Sequence, residues 1–171
     1  VNLRSPESTL VTDTVFFDKK KQIAFYNSYG TIRNKENTLK SKSGKLETNF
    51  NAKNSLVFGN KSHLTNIIIN LLDNALKYCE NNPELMVETL NDESNFIFKV
   101  KDNGIGMSPN TQKKVFEKFY REHTGDLHNV KGHGLGLSYV KQIIEDHNGQ
   151  IFVESEKGKG STFIIKMPLI N

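Results

Sequence analysis

The sequence SHLTNIIINLLDNALKY, residues 62–78, carries the strongest structural signal in this chain. Its apolar residues recur at intervals of three and four, the pattern of an amphipathic helix with one buried face. We expect Ser62 to cap the start of this helix. The opposite face presents a stripe of polar side chains: Asn66, Asn70, Asp73, Asn74 and Lys77.

Strands and helices alternate over the rest of the chain. We expect strands at 84–90 and 95–101, a short helix at 112–120, a mobile loop at 123–134, a helix at 135–146, and strands at 150–155 and 162–167. Before residue 60, short strands are expected at 46–50 and 56–58. Hairpins at both ends predict an α/β two-layer sandwich, in which a mixed, mostly antiparallel sheet packs against helices, rather than a parallel doubly wound sheet.

The first 45 residues carry a weaker signal. Apolar runs at 14–17 and 23–26 predict strands or pieces of helix, and the basic stretch 30–44 predicts helix or loop. A length of 171 residues with 36% hydrophobic and 25% charged residues favours one soluble domain over 1–171. No apolar run approaches the roughly 20 residues of a membrane span, no signal peptide opens the chain, and the missing initiator Met suggests an excised piece.

The net charge of +4 raises the question of a polyanionic partner. The excess sits in a single run with one acid, Glu36, and five bases: Arg33, Lys35, Lys40, Lys42 and Lys45. Because nucleic-acid binders interleave aromatic residues and this run has none, we interpret it as a solvated basic segment. The single cysteine, Cys79, excludes an internal disulfide and a multi-cysteine zinc site.

Two residues of the helical stripe have ligand chemistry in a suitable spacing. Asn70 and Asn74 are four apart, so both amides project from the same face, with Lys77 and Tyr78 one turn later. Amide oxygens are hard ligands that suit Mg²⁺, and a lysine binds phosphate as a point charge. A solvent-facing polar stripe explains the helix equally well.

Two glycine-bearing loops add to this chemistry. The loop DNGIGM, residues 102–107, places a carboxylate before two glycines, which let a flat ligand approach the backbone. The amino group of adenine could then donate a hydrogen bond to Asp102. The alternative is an Asx-turn within the loop. The run GHGLGL, residues 132–137, directs backbone amides and a helix start at a phosphate. It is neither a dinucleotide fingerprint nor a P-loop.

In their order, these pieces closely resemble the ATP-binding domain of bacterial sensor histidine kinases. The N box corresponds to NLLDNALKY at 70–78, the F box to VFEKFYR at 115–121, and the glycine boxes to 102–107, 132–137 and GKGSTF at 158–163. The resemblance covers about residues 60–168, while 1–59 match loosely as an N-terminal part of the same domain. It implies the Bergerat ATP-binding fold, with ATP and Mg²⁺ as cofactors.

The resemblance also implies residue roles. Asp102 would read the adenine amino group, and the adenine-site residues are Tyr78, Asp102, Gly104, Ile105, Gly106 and, through a water, Thr162. Asn70 and Asn74 would hold Mg²⁺, and Lys77 and Arg121 would neutralise phosphate. The residues that would wrap the phosphates are Gly132, Gly134, Leu135, Gly136 and Leu137, and His133 between two of these glycines would lie near the ligand. Phe116 and Phe119 would anchor a lid over residues 107–131.

Asn70 has a mechanistic implication. Other branches of the superfamily carry a glutamate there to activate water, and an amide cannot abstract a proton. The resemblance therefore implies a protein histidine kinase that hydrolyses ATP poorly and transfers the γ-phosphoryl group. None of the five histidines has the sequence context of the family's phosphoacceptor: His63, His123, His128, His133 and His147.

The phosphoacceptor histidine would therefore lie on a separate dimerisation domain, in the same kinase or a dimer mate, with a response regulator as the next partner. The chain would be the cytoplasmic portion of a kinase anchored in the inner membrane through upstream segments, without inserting itself. Two alternatives stay open: a nucleotide-binding module without kinase activity, and nucleic-acid binding through the basic run.

Overall fold

A computed structural model describes residues 44–79, 82–121 and 134–170 in full and, between residues 2 and 41, the backbone of six short strands. These strands are β1 (Asn2–Arg4), β2 (Thr9–Val11), β3 (Val15–Asp18), β4 (Ile23–Tyr26), β5 (Gly30–Arg33) and β6 (Thr38–Ser41). The following elements are β7 (Gly44–Phe50), α1 (Lys61–Lys77), β8 (Glu84–Asn91), β9 (Asn95–Asp102), α2 (Pro109–Lys114), α3 (Gly136–Asp146), β10 (Gln150–Glu156) and β11 (Gly160–Pro168).

The described strands form two sheets. The larger has the order β10-β11-β9-β8-β7-β4-β3, and the smaller the order β1-β2-β5-β6. In the larger sheet β7 and β8 run parallel, while all other neighbouring pairs among the described strands are antiparallel. A mixed, mostly antiparallel sheet packed against helices confirms the predicted sandwich. β7 pairs with β4 on one side and β8 on the other, so it connects the N-terminal strands to the rest of the sheet.

The core lies between the sheet and the two longer helices. Leu71 of α1, Val140 and Ile144 of α3 and Val100 of β9 are fully buried in one cluster. Truncation of a buried leucine such as Leu71 to alanine typically costs about 2–5 kcal/mol of unfolding free energy. This packing brings the carboxyl end of α1, the end of β9 and the start of α3 to the same region.

The start of α1 differs from the prediction. Asn60, not Ser62, is the N-cap: its side-chain oxygen accepts the N–H groups of Ser62 at 2.9 Å and His63 at 3.3 Å. Asparagine and serine are comparably good N-caps, so residue type alone does not decide between Asn60 and Ser62. The periodic apolar face itself is confirmed, with Ile67, Leu71 and Ala75 buried.

Three local predictions in the rest of the chain were inaccurate. Residues 30–44 contain β5, β6 and the start of β7 rather than helix or loop, because pairing with distant strands outweighs a polar composition. Residues 56–58 make only an isolated bridge, between Val57 and Leu169. The helix expected at 112–120 is α2, which begins after its cap Ser108 and ends at Lys114. The apolar runs 14–17 and 23–26 correspond to strands β3 and β4.

Among the described residues, no helix combines the length and apolarity that crossing a membrane requires. The predicted loop 123–134 lies outside the described residues except for Gly134. The assignment of residues 1–59 to the same domain as the motifs stays a prediction.

Candidate functional site

A cavity of about 320 Å³ opens between α1, the loop that follows β9, the α2 region and the start of α3. This volume is in the range of small-molecule sites. Five segments line it: Asn70, Asp73, Asn74, Lys77 and Tyr78; Asp102, Ile105, Gly106 and Met107; Thr111, Val115, Tyr120 and Arg121; Gly134, Leu135, Gly136 and Leu137; Ser161 and Phe163.

Asp102 provides the buried carboxylate of this cavity, with 5% of its surface exposed. Its Oδ1 accepts the backbone N–H of Gly104 at 2.8 Å and that of Ser161 at 3.2 Å. Burial raises the pKa of this carboxyl above its ordinary value, and the two amide hydrogen bonds oppose the rise. Within the described part of the chain, no group donates a hydrogen bond to Oδ2. Oδ2 is therefore the oxygen of this carboxylate that the described residues leave as an acceptor.

The loop after β9 is held tightly between the end of α1 and the β10–β11 turn. Ile105 donates its N–H to the carbonyl of Tyr78 at 3.0 Å. Glycine is required at two contacts, because a Cβ on Gly106 would lie 1.9 Å from the Glu156 carbonyl oxygen and a Cβ on Gly160 would lie 2.0 Å from the Asp102 carbonyl oxygen. Both glycines have positive φ angles, +62° and +91°.

Cys79 lies beside this loop without lining the cavity. Its thiol donates to Oδ1 of Asn103 at 3.3 Å. Burial, together with the negative charge of Asp102, raises the pKa of the thiol to about 11. Because the thiolate is the nucleophilic form, Cys79 is unsuited to covalent chemistry near neutral pH.

The polar stripe of α1 forms one wall of the cavity. Asn70 donates from Nδ2 to the Asn66 carbonyl at 2.8 Å, which leaves its Oδ1 as an acceptor. That oxygen approaches the start of α3 so closely that a Cβ on Gly136 would lie 2.7 Å from it. Lys77 forms an ion pair with Asp73 one turn earlier. Among the described residues, no three His, Cys, Asp or Glu side chains form a metal cluster. The hard oxygen ligands on this wall are the amides of Asn70 and Asn74 and the carboxylate of Asp73, which is paired with Lys77.

The start of α3 faces the same cavity. Leu135 is its N-cap and makes no side-chain capping bond, so the first amides of the helix are not capped by that residue. Gly134, with a φ of +70°, packs on the backbone of Phe119, which donates its N–H to the Gly134 carbonyl at 3.0 Å. Backbone amides at a helix start and the positive end of the helix favour an anionic group here.

The structure brings most of the predicted site residues to this one cavity: Asn70, Asn74, Lys77, Tyr78, Asp102, Ile105, Gly106, Arg121, Gly134, Leu135, Gly136 and Leu137. Gly132 and His133 lie outside the described residues. Gly104 does not line the cavity but donates to Asp102. Thr162 does not line it either, because alternation along β11 turns its neighbours Ser161 and Phe163 toward the cavity.

Several lining residues escaped sequence reasoning. Ser161 and Phe163 could have been found from the alternation of side chains along a strand, which places both on the face opposite to that of Thr162. Thr111 is 4% exposed and bonded to the cap Ser108, but a polar residue in a short helix gives no sign of burial. Of the two phenylalanines predicted to anchor a lid, Phe116 packs edge-on against Phe163 with ring centroids 6.3 Å apart, whereas Phe119 is exposed.

Comparison with known families gives two matches. A model described as histidine kinase-, DNA gyrase B- and HSP90-like ATPase matches residues 59–171. A model described as OstA-like protein matches residues 1–72, the region of the N-terminal strands and part of α1.

The relatives found by sequence are sensor proteins. Sensor protein RprX of Bacteroides fragilis (strain YCH46) is 50% identical over 129 residues, which are 74% of this chain and 25% of RprX. Sensor protein SrrB of Staphylococcus aureus (strain NCTC 8325 / PS 47) is 42% identical over 102 residues, 60% of this chain and 18% of SrrB. The chain thus spans a quarter or less of the length of these relatives.

Solved structures share the fold. The mycobacterial sensor histidine kinase MprB matches with a TM-score of 0.63 and 28% identity, over 72% of this chain and 83% of that one. The nucleotide-free catalytic domain of histidine kinase ThkA matches with a TM-score of 0.59 and 27% identity, over 72% and 80% of the two chains. The fold is therefore the Bergerat fold of histidine kinase catalytic domains.

Proposed function

This chain belongs to the histidine kinase-, DNA gyrase B- and HSP90-like ATPase family, and we propose that it is the catalytic domain of a sensor histidine kinase, which binds Mg-ATP and transfers the γ-phosphoryl group to a histidine on another domain. One observation carries the proposal. A single cavity joins a buried carboxylate, Asp102, to a wall of two amides and a lysine and to an open helix start. These features match the base and the triphosphate of a purine nucleotide.

Adenine recognition follows from the state of Asp102. An adenine amino group is an N–H donor, and Oδ2 is the carboxylate oxygen without a hydrogen bond from the described residues. Gly104 and Ser161 keep Oδ1 occupied, so the carboxylate cannot rotate away without breaking two amide hydrogen bonds. Tyr78 lines the same cavity, and its ring is proposed to pack beside the base.

The phosphate end is formed by α1 and α3. The Oδ1 acceptor of Asn70 and the amide of Asn74 fit a magnesium ion, which would neutralise charge on the triphosphate. Lys77 and Arg121 line the same cavity and add positive charge. The ion pair of Lys77 with Asp73 keeps the ammonium group at this wall before a nucleotide arrives.

Slow hydrolysis follows from the carboxylates present. Among the described cavity residues, these are Asp73 and Asp102. Asp73 forms an ion pair with Lys77, and Asp102 accepts hydrogen bonds from two backbone N–H groups. Because both carboxylates are engaged in this way, neither is proposed as the general base for an attacking water. The γ-phosphoryl group is thereby retained for transfer, with positioning and charge neutralisation as the main catalytic contributions.

In this proposal the acceptor is a histidine outside this chain, because none of the five histidines has the sequence context of the family's phosphoacceptor. Of the two that the structure describes, His63 has Nδ1 at 2.8 Å from the Tyr139 hydroxyl and His147 has Nδ1 at 2.6 Å from the Ile143 carbonyl oxygen, and neither lines the cavity. The partners in this proposal are a dimerisation and phosphoacceptor domain and then a response regulator. The chain acts in the cytoplasm, as one part of a membrane-anchored kinase.

Labelling with γ-³²P-ATP and Mg²⁺ tests the proposal. The chain alone is expected to bind ATP without incorporating label, and to label a histidine kinase phosphoacceptor domain that is supplied in trans. The product should be acid-labile and alkali-stable, as a phosphohistidine is. Nucleotide binding without transfer to any supplied acceptor would favour a nucleotide-binding module without kinase activity.

A further inference from the structure

A polar seam joins the glycine loop of the cavity, residues 103–107, to the β10–β11 hairpin. Its centre is Ser155, which is partly buried and does not line the cavity. The Ser155 Oγ accepts the backbone N–H of Met107 at 2.8 Å and donates to the Gly160 carbonyl at 2.8 Å. The Ser161 hydroxyl lies 3.0 Å from the same oxygen. A hydroxyl has one donor and two acceptor sites, so this arrangement uses all three.

Gln112 of α2 reinforces the same seam. Its Nε2 donates to the Ser155 carbonyl at 2.8 Å and to the Met107 carbonyl at 3.2 Å. One amide group therefore connects the two chain segments that the Ser155 hydroxyl also connects. Gly158 adds a third link, with its N–H donating to the Ile105 carbonyl at 2.7 Å.

This seam determines where the base-binding surface lies. Ile105, Gly106 and Met107 line the cavity on one side of it. On the other side Ser161 directs its N–H at Oδ1 of Asp102. Gly106 touches the Glu156 carbonyl without room for a Cβ, so the loop has little freedom to compensate for a broken link.

We propose that Ser155 is a positioning residue for the nucleotide base, which holds the loop at residues 103–107 in register with Ser161 and Asp102. The inference rests on the proposed function, because it takes the base to bind beside Asp102. Ser155 acts through the loop and not by contact with the nucleotide. The phosphate end, on α1 and α3, does not depend on it.

The test compares two variants. Ser155→Ala removes the hydroxyl, and Ser155→Thr keeps it and adds a methyl group, which a β-strand tolerates. Dissociation constants are measured by calorimetry for two probes, ADP and inorganic tripolyphosphate, both with Mg²⁺. For Ser155→Ala we expect the ADP constant to rise about tenfold, the scale of one lost hydrogen bond, and that for tripolyphosphate to change less than about twofold. Ser155→Thr should return ADP binding to within about threefold of the unmodified chain. Ser94→Ala, in the β8–β9 turn, is the control.

An ADP constant that Ser155→Ala leaves unchanged would overturn the inference, as would an equal weakening of both probes, which indicates general loosening. If the Ala variant does not fold, Gln112→Ala removes the second link and should weaken ADP binding about threefold or more while sparing tripolyphosphate. No binding of ADP or ATP by the unmodified chain would instead contradict the proposed function, which distinguishes the two failures.

Discussion

Replacement of Asp102 by Asn separates recognition of the base from stability of the loop. Asparagine keeps an oxygen that accepts the amides of Gly104 and Ser161, at 2.8 Å and 3.2 Å in the present structure. The position of Oδ2 becomes an NH₂ group, so an amino group on the ligand meets a donor instead of a carboxylate oxygen. Loss of a hydrogen bond to a charged group costs about 1.5–3 kcal/mol, which is roughly a 10- to 150-fold rise in Kd at 25 °C.

Calorimetry with Mg-ADP measures this change directly. Inosine diphosphate is the informative second ligand, because its 6-oxo group accepts a hydrogen bond and should favour the Asn variant over the unmodified chain. Asp92→Asn is the matched control: it removes the same charge from an exposed carboxylate of the β8–β9 turn, outside the cavity. An ADP affinity within about twofold of the unmodified chain would refute the reasoning, and an equal loss in Asp92→Asn would attribute the effect to net charge.

Three further predictions follow from the same contacts. Gly160→Ala should lower the unfolding free energy by about 2 kcal/mol or more in urea titration, because its Cβ would meet the Asp102 carbonyl. Gly158→Ala is the control: its φ is also positive, at +83°, but an added Cβ would have no atom within 4 Å, so it should cost about 1 kcal/mol. Asn74→Ala should abolish the Mg²⁺ dependence of ATP affinity in calorimetry. Asn66→Ala, about two helical turns earlier on α1 and outside the cavity lining, should keep it. Burial raises the pKa of the Cys79 thiol from 9.0 to about 11, so between these pH values the thiol is neutral in the folded chain and ionised in the unfolded chain. The free energy of unfolding should therefore fall more steeply from pH 9 to about 11 in the unmodified chain than in Cys79→Ser. Urea titrations that give both chains the same pH dependence of this free energy would contradict the prediction.

The sequence was most informative where local pattern and chemistry agreed. The spacing of Asn70, Asn74 and Lys77 placed three polar groups on one helix face, and all three line the cavity. The helical period predicted that shared face, while a solvent-facing stripe explained it equally well until the family resemblance was considered. For Asp102 the alternatives were a ligand acceptor and an Asx-turn; its Oδ1 does make the Asx-turn hydrogen bond with Gly104, and its ligand role stays a prediction.

Long-range contacts explain what the sequence did not reveal. Strand β5 forms hydrogen bonds with β2 and with β6, and the polar, basic composition of residues 30–44 does not predict this pairing. Thr162 was expected at the base site through a water, whereas the residues of β11 that line the cavity are Ser161 and Phe163. Because side chains alternate along a strand, a shift of one residue changes the face on which a side chain lies.

The two family matches overlap at residues 59–72, mostly in α1, and strands β1 to β7 lie within the OstA-like match alone. β4 pairs with β7, and β7 pairs with β8, so the sheet is continuous from the N-terminal region to the strands of the cavity. The OstA-like match spans residues 1–72, while every cavity-lining residue described lies between 70 and 163. Nucleotide binding in this account therefore depends on the region matched by the ATPase family.

A titration of the ¹⁵N-labelled chain with Mg-ADP, followed by amide correlation spectra, shows which residues the nucleotide contacts. We expect the largest shifts at the amides of Gly104 and Ser161, which donate to Asp102, and at Gly136 beside Asn70. Saturation with ADP that leaves these three amides unshifted, while residues of the basic run 33–45 respond, would contradict this expectation.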